Sequence, residues 1–269
     1  MILIIDTSYA IFYRFYAIKS YLKISKNKAE IELSMKDVKF KEMFKKTFKK
    51  MIYDLTRKWI PEKIIFALDC DCSKIWRNNL MDGYKGNRKN TDFDGGVFPF
   101  TIDEIIPELK LEMRDFTIRK KLQSTPVYSM FEEKAEADDM VYIYCKRTIA
   151  KNRKKIIITS DNDYLQLLDI NTEIFDLKGK DLRTKSLGNS EKDILIKVLG
   201  GDPSDNIPKI LSKKKTLEMI ENTAYEEICD LFENANETVR DQFRLNMTLV
   251  NMSNIPETII KKALSKLTF

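Results

Sequence analysis

The sequence predicts an α/β protein built on a central, mostly parallel sheet flanked by helices. Two observations carry that expectation. Short β-rich apolar runs at residues 2–5, 64–68, 156–158 and 172–175 are separated by stretches of helical periodicity. Three of these runs lead into an aspartate, namely Asp6, Asp69 and Asp161. Carboxylates therefore collect at the C-terminal edge of the sheet, where open α/β folds place their ligands.

Between the first two runs, Phe40, Phe44, Phe48, Met51, Ile52 and Leu55 recur at helical spacing, with Lys41, Lys45, Lys46, Lys49 and Lys50 between them. The spacing predicts an amphipathic helix with its aromatic stripe in the core and its lysines toward solvent. Residues 78–94, rich in Asn, Asp, Gly, Lys and Arg, read as a loop. A second helical pattern follows in Ile106, Leu109, Met113 and Phe116. Pro107 falls in its first turn, where a missing N–H does least harm. Gly188, Gly200, Gly201, Pro203 and Pro208 then mark a change of organisation before a helical C-terminal region.

Composition narrows the function classes. With 43% hydrophobic and 33% charged residues the chain is expected to fold rather than stay disordered. The first apolar run lacks a basic leader and a long apolar stretch, and lysine interrupts every later one. Neither a signal peptide nor a membrane span is expected, and a soluble intracellular protein is. Cys70, Cys72, Cys145 and Cys229 suit neither a disulfide framework nor a zinc ribbon, so reduced thiols are expected. Histidine is absent, which removes the usual general base and the commonest transition-metal ligand. A net charge of +6 fits a polyanionic partner without establishing one.

Three compact acidic strings extend the strand-end set: Glu136-Ala137-Asp138-Asp139, Asp161-Asn162-Asp163 and Asp202-Pro203-Ser204-Asp205. Taken singly, each has an ordinary use as a cap or a turn. Taken jointly, carboxylates at one sheet edge repel unless cations neutralise them, and all-oxygen ligation suits Mg²⁺ or Mn²⁺. Spacing of three predicts that Glu136 shares a helix face with Asp139, and Asp202 with Asp205. Asp161 and Asp163 are expected to alternate at a strand end. Two metals about 3.5–4 Å apart would activate water and stabilise a leaving 3′ oxygen, so phosphodiester hydrolysis needs no histidine.

The order of the strings then becomes recognisable. Ile4-Ile5-Asp6-Thr7-Ser8 with Arg14, Phe66-Ala67-Leu68-Asp69 and Tyr84-Lys85-Gly86-Asn87-Arg88 are followed by Glu136-Ala137-Asp138-Asp139. Thr159-Ser160-Asp161-Asn162-Asp163 with Gln166-Leu167-Leu168, and Gly201-Asp202-Pro203-Ser204-Asp205-Asn206-Ile207-Pro208, complete the series. Over almost its whole length the chain resembles the flap-endonuclease and 5′–3′ exonuclease superfamily, which includes phage flap endonucleases and the 5′-nuclease domain of bacterial DNA polymerase I.

The resemblance implies a PIN-like 5′-nuclease core over residues 1–185, with a helical arch at about 89–133. It also implies a helix-hairpin-helix-like region over residues 186–269 that binds duplex DNA. Asp6, Asp69, Glu136, Asp138 and Asp161 would surround a first Mg²⁺ or Mn²⁺. Asp139, Asp163, Asp202 and Asp205 would serve a second, directly or through water. Lys85 and Arg88 would join Asp161 and Asp163 in catalysis, and Arg14, Tyr84, Lys85, Arg88, Lys213, Lys214 and Lys215 would contact DNA. In the arch, Lys110, Arg114, Arg119, Lys120 and Lys121 would meet phosphates beside Phe116 and Tyr128.

The implied activity is a monomer's structure-specific cleavage of 5′ flaps and of branched or nicked duplex, RNA primers included, in replication or repair. One departure stands out: Lys209-Ile210-Leu211-Ser212-Lys213-Lys214-Lys215-Thr216 replaces the family's glycine-rich hairpin, which argues against the K⁺ ion associated with it. The alternatives are a DNA-binding homologue that has lost catalysis, and a PIN-type ribonuclease. The latter domains are usually smaller and lack the string at residues 202–208.

Overall fold

A computed structural model describes residues 1–24, 31–87, 93–118 and 121–267. The chain begins with β1 (Ile2–Asp6), α1 (Thr7–Ile24), α2 (Val38–Trp59) and β2 (Lys63–Ala67). Next come α3 (Val97–Phe100), a π-helical turn (Thr101–Ile105) and α4 (Ile106–Glu112). An antiparallel pair, β3 (Phe116–Ile118) and β4 (Lys121–Gln123), leads to β5 (Val127–Met130) and α5 (Ala137–Arg147). β6 (Lys155–Ile158) and β7 (Thr172–Phe175) finish the main sheet. The C-terminal region holds α6 (Ser190–Gly200), α7 (Lys213–Asn222), α8 (Tyr225–Glu233), α9 (Glu237–Val250) and α10 (Glu257–Lys266).

The main sheet has the order β5-β2-β1-β6-β7, and every pairing is parallel. Alternation along β1 sends Ile2 and Ile4 to one face and Leu3 and Ile5 to the other, and all four are buried. Helices cover both faces, as a parallel sheet requires. The first face packs against α5 and α10, the second against α1, α2 and the α3–α4 run. Among the described residues no helix is long and apolar enough to cross a membrane.

The aromatic stripe of α2 behaves as its spacing predicts. Phe40, Phe44, Phe48 and Ile52 are wholly buried, and Asp37 caps the helix by accepting the N–H groups of Lys39 and Phe40 at 2.8 and 3.2 Å. Its lysines are less free than expected. Lys41 pairs with Glu104 at 3.1 Å, Lys45 pairs with Glu108, and Lys49 bridges Glu108 at 3.1 Å and Glu112. The expected arch segment thus includes helices docked on α2 by charge and by the buried Val97, Ile105, Ile106 and Leu109.

Three local details go beyond the sequence reading. The second helical pattern ends at Glu112, and Phe116 opens β3, so its apolar spacing from Met113 is not helical. Pro107 does lie at the start of α4, but no free terminus precedes it. The π-helical turn absorbs the missing donor and the ring's clash with the preceding turn. β5 was not visible because residues 127–130 form an edge strand with two half-buried positions rather than an apolar run.

Helices α6 to α9 bury their own core, including Leu195, Val198, Leu199, Ile220, Ile228 and Phe243. Polar ties join that bundle to the sheet domain, among them Arg77 Nε donating to Leu249 O at 2.8 Å, Gln166 Nε2 to Val250 O at 3.0 Å, and Met252 N to Gln166 Oε1 at 3.1 Å. The last helix, α10, returns to pack on α5. Lys213, Lys214 and Lys215, expected in a hairpin loop, instead form the exposed first turn of α7 behind the Ser212 cap.

The α6–α7 connection retains one indispensable glycine. Gly201 has φ +73°, and a Cβ there would lie 2.7 Å from Lys209 N and 2.8 Å from Ile207 O. Gly201→Ala is expected to destabilise the protein by about 1–3 kcal/mol. A urea unfolding midpoint equal to that of the wild type would contradict this account of the turn.

Candidate active site

Each carboxylate singled out in the sequence is delivered by an element that ends or begins at the C-terminal edge of the sheet. Asp6 is the last residue of β1, and Asp69 follows β2 by two residues. Glu136 is the N-cap of α5, with Asp138 and Asp139 in its first turn. Asp161 caps a 3₁₀ helix (Asn162–Leu167) and accepts Asp163 N at 2.9 Å. Asp202 and Asp205 occupy the turn after α6, closed by the Asp202–Ile207 bridge. Two geometric expectations therefore change. Asp163 lies on a 3₁₀ turn rather than a strand end, and Asp202 and Asp205 meet through a tight turn rather than along a helix face.

The side chains converge. Asp69 Oδ1 accepts Ala137 N at 2.8 Å, tying the end of β2 to the start of α5, and its other oxygen accepts the Ser8 hydroxyl. Asp6 accepts Tyr9 N at 3.0 Å and Thr159 Oγ1 at 2.9 Å. Glu136, Asp138 and Asp139 each offer an oxygen within 4.8 Å of the others, and so do Asp163, Asp202 and Asp205. Tyr84 joins the two groups, its hydroxyl lying 3.1 Å from Glu136 Oε2 and 3.3 Å from Asp205 Oδ2. Lys85 spans the same gap, in contact with Glu136 and 3.7 Å from Asp205.

Burial and mutual repulsion leave a clear electrostatic signature. Asp6 is pushed up to about 7 by burial and then by Asp69. Asp163 is pushed up to about 6 by burial and then by Asp161, against the pull of Lys197. Asp138 is driven well above the carboxylate range by burial, Asp139 and Glu136. Such a set, rich in oxygen and poor in compensating charge, fits a hard divalent cation. The cluster of Asp6, Asp69, Asp138 and Asp161 also lies around Tyr164, whose hydroxyl is buried with no hydrogen-bond partner among the described residues.

Two cations that hold the acids together were not legible in the sequence. Arg77 is 2% exposed, meets Asp139 through Nη1 and Nη2 at 3.0 and 2.8 Å, and reaches Glu136 Oε2 at 3.0 Å. Trp76 Nε1 adds a 2.8 Å bond to Asp139 Oδ2. Both Asp139 oxygens are thereby engaged, and its own capping bond to Glu136 N at 3.1 Å closes the set. Lys197 of α6 contacts Asp163 at 2.5 Å and Asp202 at 2.6 Å. An isolated arginine in the turn at Trp76–Asn79 and one of the two lysines of α6 carry no distinguishing local signal.

Other expected site residues are placed differently. Tyr84 is buried, with its hydroxyl turned to Glu136 and Asp205. Arg14 lines a separate cavity with Asp54, Lys58 and Trp59, which none of the nine carboxylates lines. Lys110 is half-buried and Arg114 is exposed. Tyr128 packs beside the first core face. Arg88, Arg119 and Lys120 lie outside the described residues, as do the side chains of Phe116 and Lys121.

A family model described as "5′-3′ exonuclease, N-terminal resolvase-like domain" matches residues 1–193. DNA polymerase I of Rhizobium leguminosarum is 28% identical over 104 residues, 39% of this chain and 9% of the polymerase. Flap endonuclease Xni of Shewanella woodyi is 24% identical over 116 residues, 43% of this chain and 39% of Xni. The matches thus span well under two thirds of either relative. A bacteriophage T5 5′-exonuclease structure with bound zinc aligns at a TM-score of 0.66 and 16% identity, covering 98% of this chain and 97% of the other. A T5 flap endonuclease structure in complex with DNA and metal ions aligns at 0.62 and 16%, with the same coverage. These likenesses establish the fold.

Two outcomes follow from the site. Arg77→Ala strands Asp139 and Glu136 without their buried counter-charge and is expected to destabilise by about 3–5 kcal/mol, read as a lowered urea midpoint. The raised acids also set a pH dependence. Between about pH 4 and 7 the folded chain in chelator holds protons that the unfolded chain releases, so its stability falls as pH rises through that window. Adding MgCl₂ or MnCl₂ should therefore raise Tm more at pH 8 than at pH 5, and an equal gain at both values would refute this electrostatic account.

Proposed function

The chain belongs to the 5′-3′ exonuclease family, whose N-terminal resolvase-like domain accounts for residues 1–193, and from that footing we propose that it is a structure-specific 5′ nuclease. The carrying observation is that Asp6, Asp69, Glu136, Asp138, Asp139, Asp161, Asp163, Asp202 and Asp205 gather at one sheet edge with Lys85 among them. The proposed substrate is DNA with a 5′ flap, branch or nick, RNA primers included, and the proposed setting is replication or repair by a monomer. Mg²⁺ or Mn²⁺ is the proposed cofactor.

The residues divide the work by their contacts. Asp6, Asp69, Asp138 and Asp161 are the proposed holders of one cation, and Asp163, Asp202 and Asp205 of the other. When bound, the pair would supply an activated water and neutralise charge on the leaving 3′ oxygen. Asp139, saturated by Arg77 and Trp76, is better read as a support that fixes the first turn of α5 than as a ligand. Lys85, held in the left-handed backbone region at φ 56°, presents its ammonium between Glu136 and Asp205. There it would meet the phosphate undergoing attack and offset its growing negative charge. Lys197 keeps Asp163 and Asp202 side by side and limits their repulsion.

The carboxylate set is complete, which favours catalysis over a binding-only homologue. The residue 202–208 turn and the C-terminal bundle that follows it favour a 5′ nuclease over a PIN-type ribonuclease. Asp161→Asn and Asp163→Asn are each expected to abolish Mg²⁺-dependent cleavage of a 5′-labelled flap substrate while DNA binding in chelator persists. Full cleavage by both variants would remove the assignment, and cleavage of single-stranded RNA in preference to flap DNA would favour the ribonuclease.

A further inference from the structure

Lys85 reaches Glu136 and Asp205 from a loop, not from a helix or a strand. Residues 83–86 form a tight turn in which Gly86 N donates to Gly83 O at 2.9 Å. Gly83 and Lys85 both take positive φ, 77° and 56°. Glycine adopts that region freely and lysine does not, so contacts from outside the turn must hold Lys85 there.

Those contacts come from the turn that carries Asp202 and Asp205. It is closed by Asp202 N to Ile207 O at 3.0 Å and Ile207 N to Asp202 O at 2.8 Å, and Lys85 N donates to Asp205 O at 3.1 Å. Asn206 then grips the lysine turn on both sides. Its Nδ2 donates to Gly83 O at 3.2 Å, two residues before Lys85, and its Oδ1 accepts Asn87 Nδ2 at 2.9 Å, two residues after. Asn206 itself has φ 63°, a conformation that asparagine and glycine adopt more readily than other residues. Among the described residues its side chain bonds no carboxylate of the site, so its influence passes through the turn that it holds.

We propose that Asn206 is a positioning residue, which clamps the turn at residues 83–86 onto the turn at residues 202–207 and so fixes where the Lys85 ammonium stands. The inference rests on the nuclease reading for what Lys85 does, but not for how Lys85 is held. Two measurements separate these. Asn206→Gly suits φ 63° and removes both side-chain bonds, which isolates the clamp from backbone strain.

In chelator and without DNA, lysine acetylation by an N-hydroxysuccinimide ester of acetate is followed by mass spectrometry. Lys85 of Asn206→Gly is expected to react severalfold faster than in the wild type, while Lys197 keeps its wild-type rate. With 5′-labelled flap DNA and Mg²⁺, the variant is expected to lose about tenfold in kcat with KM within about twofold. In a chain already carrying Lys85→Ala, Asn206→Gly should cost nothing further, because the two residues act as one unit. Asn87→Ala removes one of the two bonds from an exposed position, and the same changes at smaller size are expected from it should Asn206→Gly fail to fold. Wild-type Lys85 reactivity in the variants, an additive loss with Lys85→Ala, or a loss confined to KM would overturn the clamp. Absence of Mg²⁺-dependent product from the wild-type chain would instead count against the nuclease reading, and the acetylation rates alone would then decide the clamp.

Discussion

The structure is organised around a repulsion that it must contain. Carboxylates brought to a shared edge disfavour one another's charge, and burial deepens the penalty. Asp6, Asp138 and Asp163 bear its mark as raised proton affinities. Three basic side chains keep the cluster intact: Arg77 beneath Asp139 and Glu136, Lys197 between Asp163 and Asp202, and Lys85 across the gap between the groups. Arg77 is the most constrained of them, because it is buried and its guanidinium also reaches a carbonyl of the C-terminal bundle. The planar fork of arginine suits this three-way role, which the ammonium of lysine would not reproduce.

The parallel sheet makes the convergence possible. Strands running in one direction deliver their C-terminal ends to the same edge, and the next helices begin there with N–H groups that favour acids. Asp6 and Asp69 use that arrangement directly, each accepting a main-chain N–H at the start of a helix. These bonds orient the carboxylates before any ligand arrives. The helical bundle then contributes Lys197, Asp202 and Asp205, so the site is complete only when both parts of the chain are docked.

Much of this was legible in the sequence, for identifiable reasons. The strand-end aspartates follow apolar runs, and the core stripe of α2 follows helical period, because burial on a regular element imposes a regular pattern. The acidic strings were visible as strings, but their local geometry was not. Whether Asp163 sits on a strand or a 3₁₀ turn, and whether Asp205 meets Asp202 through a helix or a turn, depends on backbone bonds with no side-chain signature. Arg77 was invisible because Glu136 and Asp139 lie far away in the chain, and the role of Lys197 because it needs Asp163 from another element beside its near neighbour Asp202. Arg14 was legible as a cation but not as one turned toward α2, since its direction is fixed by which side of α1 buries Ile11, Phe15 and Ile18.

Two of the ties between the bundle and the sheet domain use peptide carbonyls as acceptors, at Leu249 and Val250. Every amino acid supplies that group, so the identity of the residue at either position is not what secures the joint. Substitution at these two positions is therefore constrained by the fit of the side chain, while Arg77 and Gln166 on the opposite side carry the chemical specificity of both bonds.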